Sequence, residues 1–212
     1  MKTILCYGDS NTWGYNPKTK TRYEKNIIWT SILKKRLGDE YEVICEGLNG
    51  RTTVWDDPIE GEYRNGKNYL FPCIHTHKPI DLVVLFLGSN DLKHRFSLQA
   101  VDVAKGIEAL VKIIKGSDTG PNMQPPEVLV IIPPPMEKGI EDVPIMCGGI
   151  EKSLKFSEEF QNVLQEQCHL MDASKIIRSS KIDGLHLDPE AHEKLGICIS
   201  DYIRSIDFLD MI

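Results

Sequence analysis

The chain has 212 residues, of which 41% are hydrophobic and 26% are charged, and its formal net charge is -6. This composition is typical of a soluble globular protein with a continuous core, so we predict a single domain over residues 1–212. The acidic balance provides no basic field for phosphate groups, which argues against nucleic acid or an anionic membrane surface as the partner.

The cysteines and the apolar segments indicate the compartment. The six cysteines form no CxxC pair and show no metal-ligand spacing. The first apolar run, residues 4–7, is too short for a secretion signal, and no later segment approaches the roughly 20 apolar residues of a membrane span. We therefore expect reduced thiols, no membrane anchor and a cytoplasmic location.

Apolar runs and helical patterns alternate along the chain. Runs typical of strands occupy residues 4–7, 41–45, 82–87, 128–132 and, more weakly, 170–173. Apolar residues at helical spacing predict helices over residues 27–37, 101–114 and 154–164, and a last helix runs from Pro189 to about Ile206, with Asp188 as its cap.

This alternation predicts an α/β fold. Strands separated by helices pair in parallel, and helices then cover both faces of the sheet, which gives a three-layer α/β/α sandwich of about five strands. Ligands of such sheets bind beyond the carboxyl ends of the strands. The long connections over residues 15–25, 54–68 and 133–149 are interpreted as pocket walls, with surface decoration as the alternative.

A serine follows the first predicted strand, in the segment Gly8-Asp9-Ser10-Asn11. A tight turn there can present the Ser10 hydroxyl to the cleft as a nucleophile, although a helix-cap or turn role explains the same residues. Near the other end, Asp183 precedes His186 by three residues. A carboxylate at this spacing can accept a hydrogen bond from Nδ1 of the imidazole and leave Nε2 free to take a proton from a serine.

Two further segments stand at predicted strand ends. Gly50 follows the second strand and Asn90 follows the third. A glycine lets a backbone N–H approach closely and an Asn amide is an uncharged donor, so both suit an oxyanion hole. A turn glycine and a turn or cap Asn are the alternatives.

These four blocks, taken in order, resemble the SGNH (GDSL-like) hydrolase superfamily and its flavodoxin-like fold. The resemblance implies that Ser10 is the nucleophile, that His186 and Asp183 complete a triad, and that Ser10, Gly50 and Asn90 form the oxyanion hole. The similarity to the mycobacterial arylesterase and acyltransferase subgroup covers nearly the whole chain. It includes these segments: Arg22-Tyr23, Trp29-Thr30, Glu46-Gly47-Leu48, Arg51-Thr52-Thr53, Asp56-Asp57-Pro58, Asn65-Gly66, Pro133-Pro134-Pro135 and Gly148-Gly149.

The sequence departs from the family pattern in two places. Asn11 replaces the usual Leu of the GDSL form, which affects local packing and leaves the triad in place. Gly50 stands where the mycobacterial relatives carry Ala, which keeps the backbone donor.

Several residues outside these blocks are also candidates for a functional role. His75 and His77 form an HxH pair, but no third ligand lies at metal spacing, so a surface helix is the preferred interpretation and no metal is predicted. Asp91 is interpreted as a turn or helix-cap residue. We predict that Trp13, Trp55 and Pro134 line the substrate pocket; for the two tryptophans a core position is the alternative.

The resulting hypothesis is a serine esterase that hydrolyses small, short-chain acyl or aryl esters through an acyl-enzyme on Ser10, without a cofactor. The resemblance implies some acyl transfer to alcohols and a homo-oligomer. A carbohydrate O-acetylesterase or a thioesterase would use the same triad, and a flavodoxin-like FMN-binding module is the non-enzymatic alternative.

Overall fold

The five apolar runs form one parallel sheet. The structure, a computed structural model, describes residues 1–206. The strands are β1 (Lys2–Gly8), β2 (Tyr41–Gly47), β3 (Leu82–Phe86), β4 (Glu127–Ile132) and β5 (His169–Asp172). Their order in the sheet is β2-β1-β3-β4-β5. The predicted five-stranded parallel sheet is confirmed.

Seven α-helices connect or flank the strands within residues 1–206. They are α1 (Ser10–Trp13), α2 (Trp29–Leu37), α3 (Gly66–His77), α4 (Ala100–Lys115), α5 (Gly149–Ser153), α6 (Phe156–Leu164) and α7 (Pro189–Ser205). None of these helices is long and apolar enough to cross a bilayer.

The sheet is covered on both faces, as its unbroken apolar strands require. Side chains alternate along β3, so Val83 and Leu85 belong to one core and Val84 and Phe86 to the other. The first core contains the apolar sides of α3, α4 and α6, and the second contains those of α2 and α7. The predicted three-layer sandwich is confirmed.

The strand register determines where the site forms. Gly8, the last residue of β1, pairs with Gly47 of β2 and with Phe86 of β3. The segments after these three strands therefore start side by side. The chain passes from β1 to β2 on one side and then crosses to β3 on the other side of β1. This edge is therefore a switch point of the topology, where such sheets bind ligands.

Two helix predictions and one loop prediction are corrected at their ends. The pattern over residues 27–37 is divided, because Ile28 has an extended backbone between a 3-10 turn at Lys25–Ile27 and α2. The pattern over residues 154–164 corresponds to α6 alone, with α5 preceding it. Helix α3 begins at Gly66, inside the predicted loop over residues 54–68.

Candidate active site

Ser10 lies at the first residue of α1, directly beyond β1. The Asp9 carboxylate caps this short helix by accepting the Asn11 N–H at 2.9 Å. Gly8 permits the turn, because a Cβ there would collide with the Thr12 side chain and with the Phe86 carbonyl of β3. The predicted tight turn after the first strand is therefore present, with the Ser10 hydroxyl at its apex.

His186 and Asp183 complete a hydrogen-bonded chain with Ser10. The His186 Nε2 lies 2.9 Å from Ser10 Oγ, and Nδ1 lies 2.6 Å from Asp183 Oδ2. The other oxygen, Oδ1, accepts the backbone N–H groups of Leu185 at 3.1 Å and His186 at 3.0 Å. The structure thus brings together three residues that are up to 176 positions apart, in the geometry a nucleophile, its base and an orienting carboxylate need.

The environment of Asp183 keeps it ionised. Burial alone would raise its pKa, but the hydrogen bond from His186 and those from the backbone N–H groups outweigh burial and lower the pKa. The loop around it is tight. Gly184 has φ +69°, and a Cβ there would meet the Glu137 carbonyl and the Ile140 N–H.

Gly50 and Asn90 lie on the same cavity as Ser10 and His186. Gly50 has φ +75°, a conformation that favours glycine. The Asn90 amide is oriented by Asp9, because Nδ2 donates to Asp9 Oδ2 at 3.3 Å. Burial raises the pKa of Asp9 to about 6. Uncharged donors from two strand ends therefore line the same cavity as the serine, and an oxyanion hole needs donors of this kind.

Asp91, next to Asn90, lies in a 3-10 turn over Ser89–Leu92, as predicted, and its side chain has a further role. Its carboxylate accepts the Thr53 N–H at 3.0 and 3.1 Å and the Thr53 hydroxyl at 2.5 Å. Burial raises the pKa of Asp91 to about 7. The carboxyl group joins the segment after β2, which carries Gly50, to the segment after β3, which carries Asn90.

Arg51 joins the ends of the first two strands. Its guanidinium Nη1 donates to the Gly8 carbonyl at 2.9 Å and to the Glu46 carbonyl, and the guanidinium carbon Cζ lies 4.1 Å from the centre of the Tyr7 ring. The side chain is buried. These hydrogen bonds fix the Ser10 turn relative to the Gly50 segment. The Arg51 side chain itself does not line the cavity.

The cavity beside Ser10 has a volume of about 250 Å³. All three long connections predicted as pocket walls contribute to it: Tyr15 comes from the first, Glu60 and Arg64 from the second, and an apolar group from the third. The apolar group from the third connection is Ile140, Val143, Ile145 and Met146. Leu185 from the triad loop also lines the cavity. The ring of Tyr15 packs on the His186 imidazole at 4.2 Å.

Three predicted pocket residues lie elsewhere, so those predictions are wrong. Trp13 is covered by Arg22, whose guanidinium lies 5.2 Å from the ring centre. Trp55 is 37% exposed, and Pro134 is buried. None of them lines the cavity, because the segment around residues 140–146 provides its apolar wall instead.

The second wall of the cavity is charged and was not predicted. Lys93, only 2% exposed, lies 3.0 Å from both Asp57 Oδ2 and Glu60 Oε2. Arg95 contacts the same carboxylates at 3.0 and 2.5 Å, and Arg64 pairs with Glu60. We call these five residues the charged wall. The segment Asp56-Asp57-Pro58 was one signal for it, but its partners are distant in sequence.

His75 and His77 lie on α3, as predicted, and have different partners. His77 Nε2 is 2.9 Å from Glu46 Oε1, and Cys73 lies beside this pair. His75 Nδ1 is 4.0 Å from Asp118. The HxH pair therefore does not converge on one point, and the partners Glu46 and Cys73 were not visible in the linear spacing.

Comparison with known proteins gives the family. The family model described as GDSL-like lipase/acylhydrolase matches residues 6–194. The chain belongs to this family. It is therefore an ester-hydrolysing enzyme, and the resemblance to the SGNH hydrolases is confirmed.

Solved structures of other SGNH hydrolases superpose closely on this esterase. A carbohydrate acetylesterase family member from Sinorhizobium meliloti is 38% identical, with a TM-score of 0.91 over 97% of this chain and 98% of that chain. A second carbohydrate acetylesterase from the same organism and the native aryl esterase of M. smegmatis are each 34% identical, with TM-scores of 0.90, over 97% of this chain and 100% of theirs. No match was found among curated proteins.

The FMN-binding alternative loses its support. A flavin phosphate would need the N–H groups at the start of α1, but the Asp9 carboxylate already accepts the Asn11 N–H there. A second negative group at the same place would be repelled.

Proposed function

We propose that the chain is a serine esterase for small acyl esters that works through an acyl-enzyme on Ser10. The observation that carries this proposal is the continuous hydrogen-bond chain from Ser10 Oγ through His186 to Asp183, with contacts of 2.9 and 2.6 Å. His186 Nε2 takes the proton from Ser10 as the hydroxyl attacks the ester carbonyl. Asp183 holds the imidazole in the tautomer that leaves Nε2 free and stabilises the imidazolium that forms.

The tetrahedral intermediate carries a negative oxygen, and in our proposal this oxygen accepts hydrogen bonds from the backbone N–H groups of Ser10 and Gly50 and from the Asn90 amide. Donors held in advance at this position act mainly on charge present in the transition state. When the intermediate collapses, His186 returns its proton to the leaving alcohol. Water then attacks the acyl-enzyme with His186 again as base, which releases the acid and restores Ser10.

The cavity favours short acyl groups. Its volume of about 250 Å³ lies below the roughly 300–1,000 Å³ of typical drug-sized sites. The apolar wall from residues 140–146 gives an acyl chain a surface to bury, whereas water gains nothing from it. An alcohol with an alkyl chain is favoured there for the same reason, so we propose that acyl transfer accompanies hydrolysis.

Carbohydrate O-acetyl esters are a second candidate substrate class. The charged wall, which reaches the cavity through Glu60, Arg64 and Lys93, offers both donors and acceptors to a hydroxyl-rich leaving group. Two of the similar solved structures are carbohydrate acetylesterases by their titles. A panel of acetylated sugars beside p-nitrophenyl esters of increasing chain length separates the two classes.

The nucleophile is tested with Ser10→Ala. Loss of the hydroxyl removes the attacking atom, so we expect hydrolysis of p-nitrophenyl acetate to fall by at least about 10³-fold in kcat with an unchanged circular dichroism spectrum. Ser200→Ala is a matched control, because the Ser200 hydroxyl is buried in α7 and has no hydrogen-bond partner within residues 1–206. Near-normal kcat in Ser10→Ala would exclude Ser10 as the nucleophile.

A further inference from the structure

The charged wall carries an excess of positive charge. It contains three cations, Arg64, Lys93 and Arg95, and two carboxylates, Asp57 and Glu60. With both carboxylates ionised, one positive charge has no counterpart in the wall. The protein as a whole has a net charge of -6, so this local balance is opposite to that of the molecule.

The positions of the five groups show which cation lacks a full partner. Asp57 is completely buried and contacts both Lys93 and Arg95. Burial by itself would raise its pKa, but hydrogen bonds from the Glu60 N–H and from Lys93 outweigh burial and hold the pKa below its usual range. Lys93 and Arg95 therefore each pair with both carboxylates, whereas Arg64 pairs with only one of the two, Glu60.

Arg64 is also the cation beside the reaction centre. Its guanidinium occupies the space where a Cβ on Gly50 would lie, and it lines the cavity together with Ser10, Asn90 and His186. Its Nη1 donates to Glu60 and its Nε to the Tyr63 hydroxyl at 3.4 Å. Within residues 1–206, Nη2 has no hydrogen-bond partner.

We propose that Arg64 makes this esterase selective for esters that carry a negatively charged oxygen group, such as a carboxylate, close to the scissile bond. The proposal rests on the proposed function, since it places the ester carbonyl between Ser10 and the Gly50 N–H. A guanidinium in a partly buried site binds an anionic oxygen through charge-assisted, often bidentate hydrogen bonds.

Two features of the site suit this role. Glu60 keeps Lys93 and Arg95 as partners when Arg64 turns to a substrate, so no buried charge is left unpaired. The other carboxylate on the cavity, Asp183, already accepts hydrogen bonds from His186 and two backbone N–H groups. Its negative charge is thereby compensated within the triad loop.

The test compares esters of equal shape and different charge. On the alcohol side these are 3-acetoxybenzoate and 3-acetoxybenzamide; on the acyl side they are phenyl hydrogen succinate and its terminal amide. We expect the native enzyme to prefer the anionic member of at least one pair in kcat/KM, by about 10- to 100-fold, the range of a charged hydrogen bond. The pair that responds identifies the side of the ester that carries the charge, and added salt should reduce the preference.

Variants of the two partners should act in opposite directions. Arg64→Gln should remove most of the preference, and Arg64→Lys should retain part of it because the charge remains without the planar fork. Glu60→Gln should increase the preference, because Arg64 then loses its competing carboxylate. If Arg64 and Glu60 only stabilise the fold, Arg64→Gln and Glu60→Gln should each lower kcat/KM equally for the charged and the neutral ester. Arg36→Gln, an exposed arginine on α2, is the control for net charge.

The outcomes separate this proposal from the proposed function. Equal turnover of the charged and neutral esters by the native enzyme, or a preference that Arg64→Gln leaves unchanged, would overturn the role of Arg64 while the Ser10 mechanism stands. Turnover of both esters that persists in Ser10→Ala would overturn the mechanism itself.

Discussion

Asn90 shows how single contacts prepare the site before substrate binds. Its amide nitrogen donates to Asp9 Oδ2 at 3.3 Å, and Asp9 in turn caps the helix that starts with Ser10. The carboxylate thus orients one predicted oxyanion donor and the nucleophile together. Because burial raises the pKa of Asp9 to about 6, its protonation in mild acid would weaken its hydrogen bond with Asn90.

Asn90→Ala removes a donor that acts mainly in the transition state. We expect kcat for p-nitrophenyl acetate to fall by roughly 10²-fold, with a smaller change in KM. Steady-state kinetics of the purified variant gives both constants. A change confined to KM would mean that Asn90 only binds the substrate, and Asn122→Ala, at a turn away from the cavity, serves as the control.

Two helices depend on each other at the element scale. Helix α2 begins after Ile28, which provides no side-chain cap, and the N–H of Trp29 instead donates to Nδ1 of His192 on α7 at 3.4 Å. Burial lowers the pKa of His192 to about 4, so the imidazole stays neutral and keeps its acceptor. The start of α2 is therefore capped by a residue 163 positions later in the chain.

His192→Gln should reduce the loss in the free energy of unfolding that accompanies a fall in pH from 7 to 4. In the unfolded chain His192 binds a proton below about pH 6.5, whereas the folded protein resists it down to about pH 4. The free energy of unfolding should therefore decrease by up to about 3 kcal/mol more in the native protein than in the variant between pH 7 and pH 4.

Urea denaturation at several pH values measures this difference. The raised pKa values of Asp9 and Asp91 change the free energy of unfolding with pH in the opposite direction. This contribution is the same in the native protein and the variant, so it cancels in the comparison. His94→Gln controls for the loss of an imidazole outside the core. Parallel curves for the native protein and His192→Gln would contradict the assigned role.

At the scale of the whole molecule, the two faces of the sheet share every strand. Val84 and Leu85 are adjacent in β3, fully buried, and belong to the two different cores. A sheet whose strands serve both cores gives neither core a separate scaffold. We therefore expect the protein to unfold as one unit, in agreement with the single domain predicted from the sequence.

Val84→Ala and Leu85→Ala test this expectation. Each removes buried methyl groups and leaves a cavity, so we expect losses of about 1–3 kcal/mol and 2–5 kcal/mol in the free energy of unfolding. Both variants should show a single transition with the native m-value, by circular dichroism and by tryptophan fluorescence. Two separated transitions in either variant would indicate that the faces unfold independently.

Self-association and a cytoplasmic location stay predictions of the sequence.

The local pattern of the sequence was sufficient to predict the frame, and the family resemblance then assigned catalytic roles to the blocks at its strand ends. Strand runs, the turn after β1 and the three-residue spacing of Asp183 and His186 are decided by neighbours in the chain, and parallel topology then places strand ends side by side. Gly50 and Asn90 lie in the segments after two of these strands, and their roles in the oxyanion hole stay predictions.

Only the tertiary structure decided what surrounds those blocks. The pocket predictions for Trp13, Trp55 and Pro134 failed because apolar character does not show which face of a loop a side chain occupies. Charged loop residues such as Glu60 and Lys93 are typical of solvated surfaces until the fold buries them against partners more than 30 positions away. Burial and pairing are properties of the packed chain, and they give these charges a role that linear spacing does not encode.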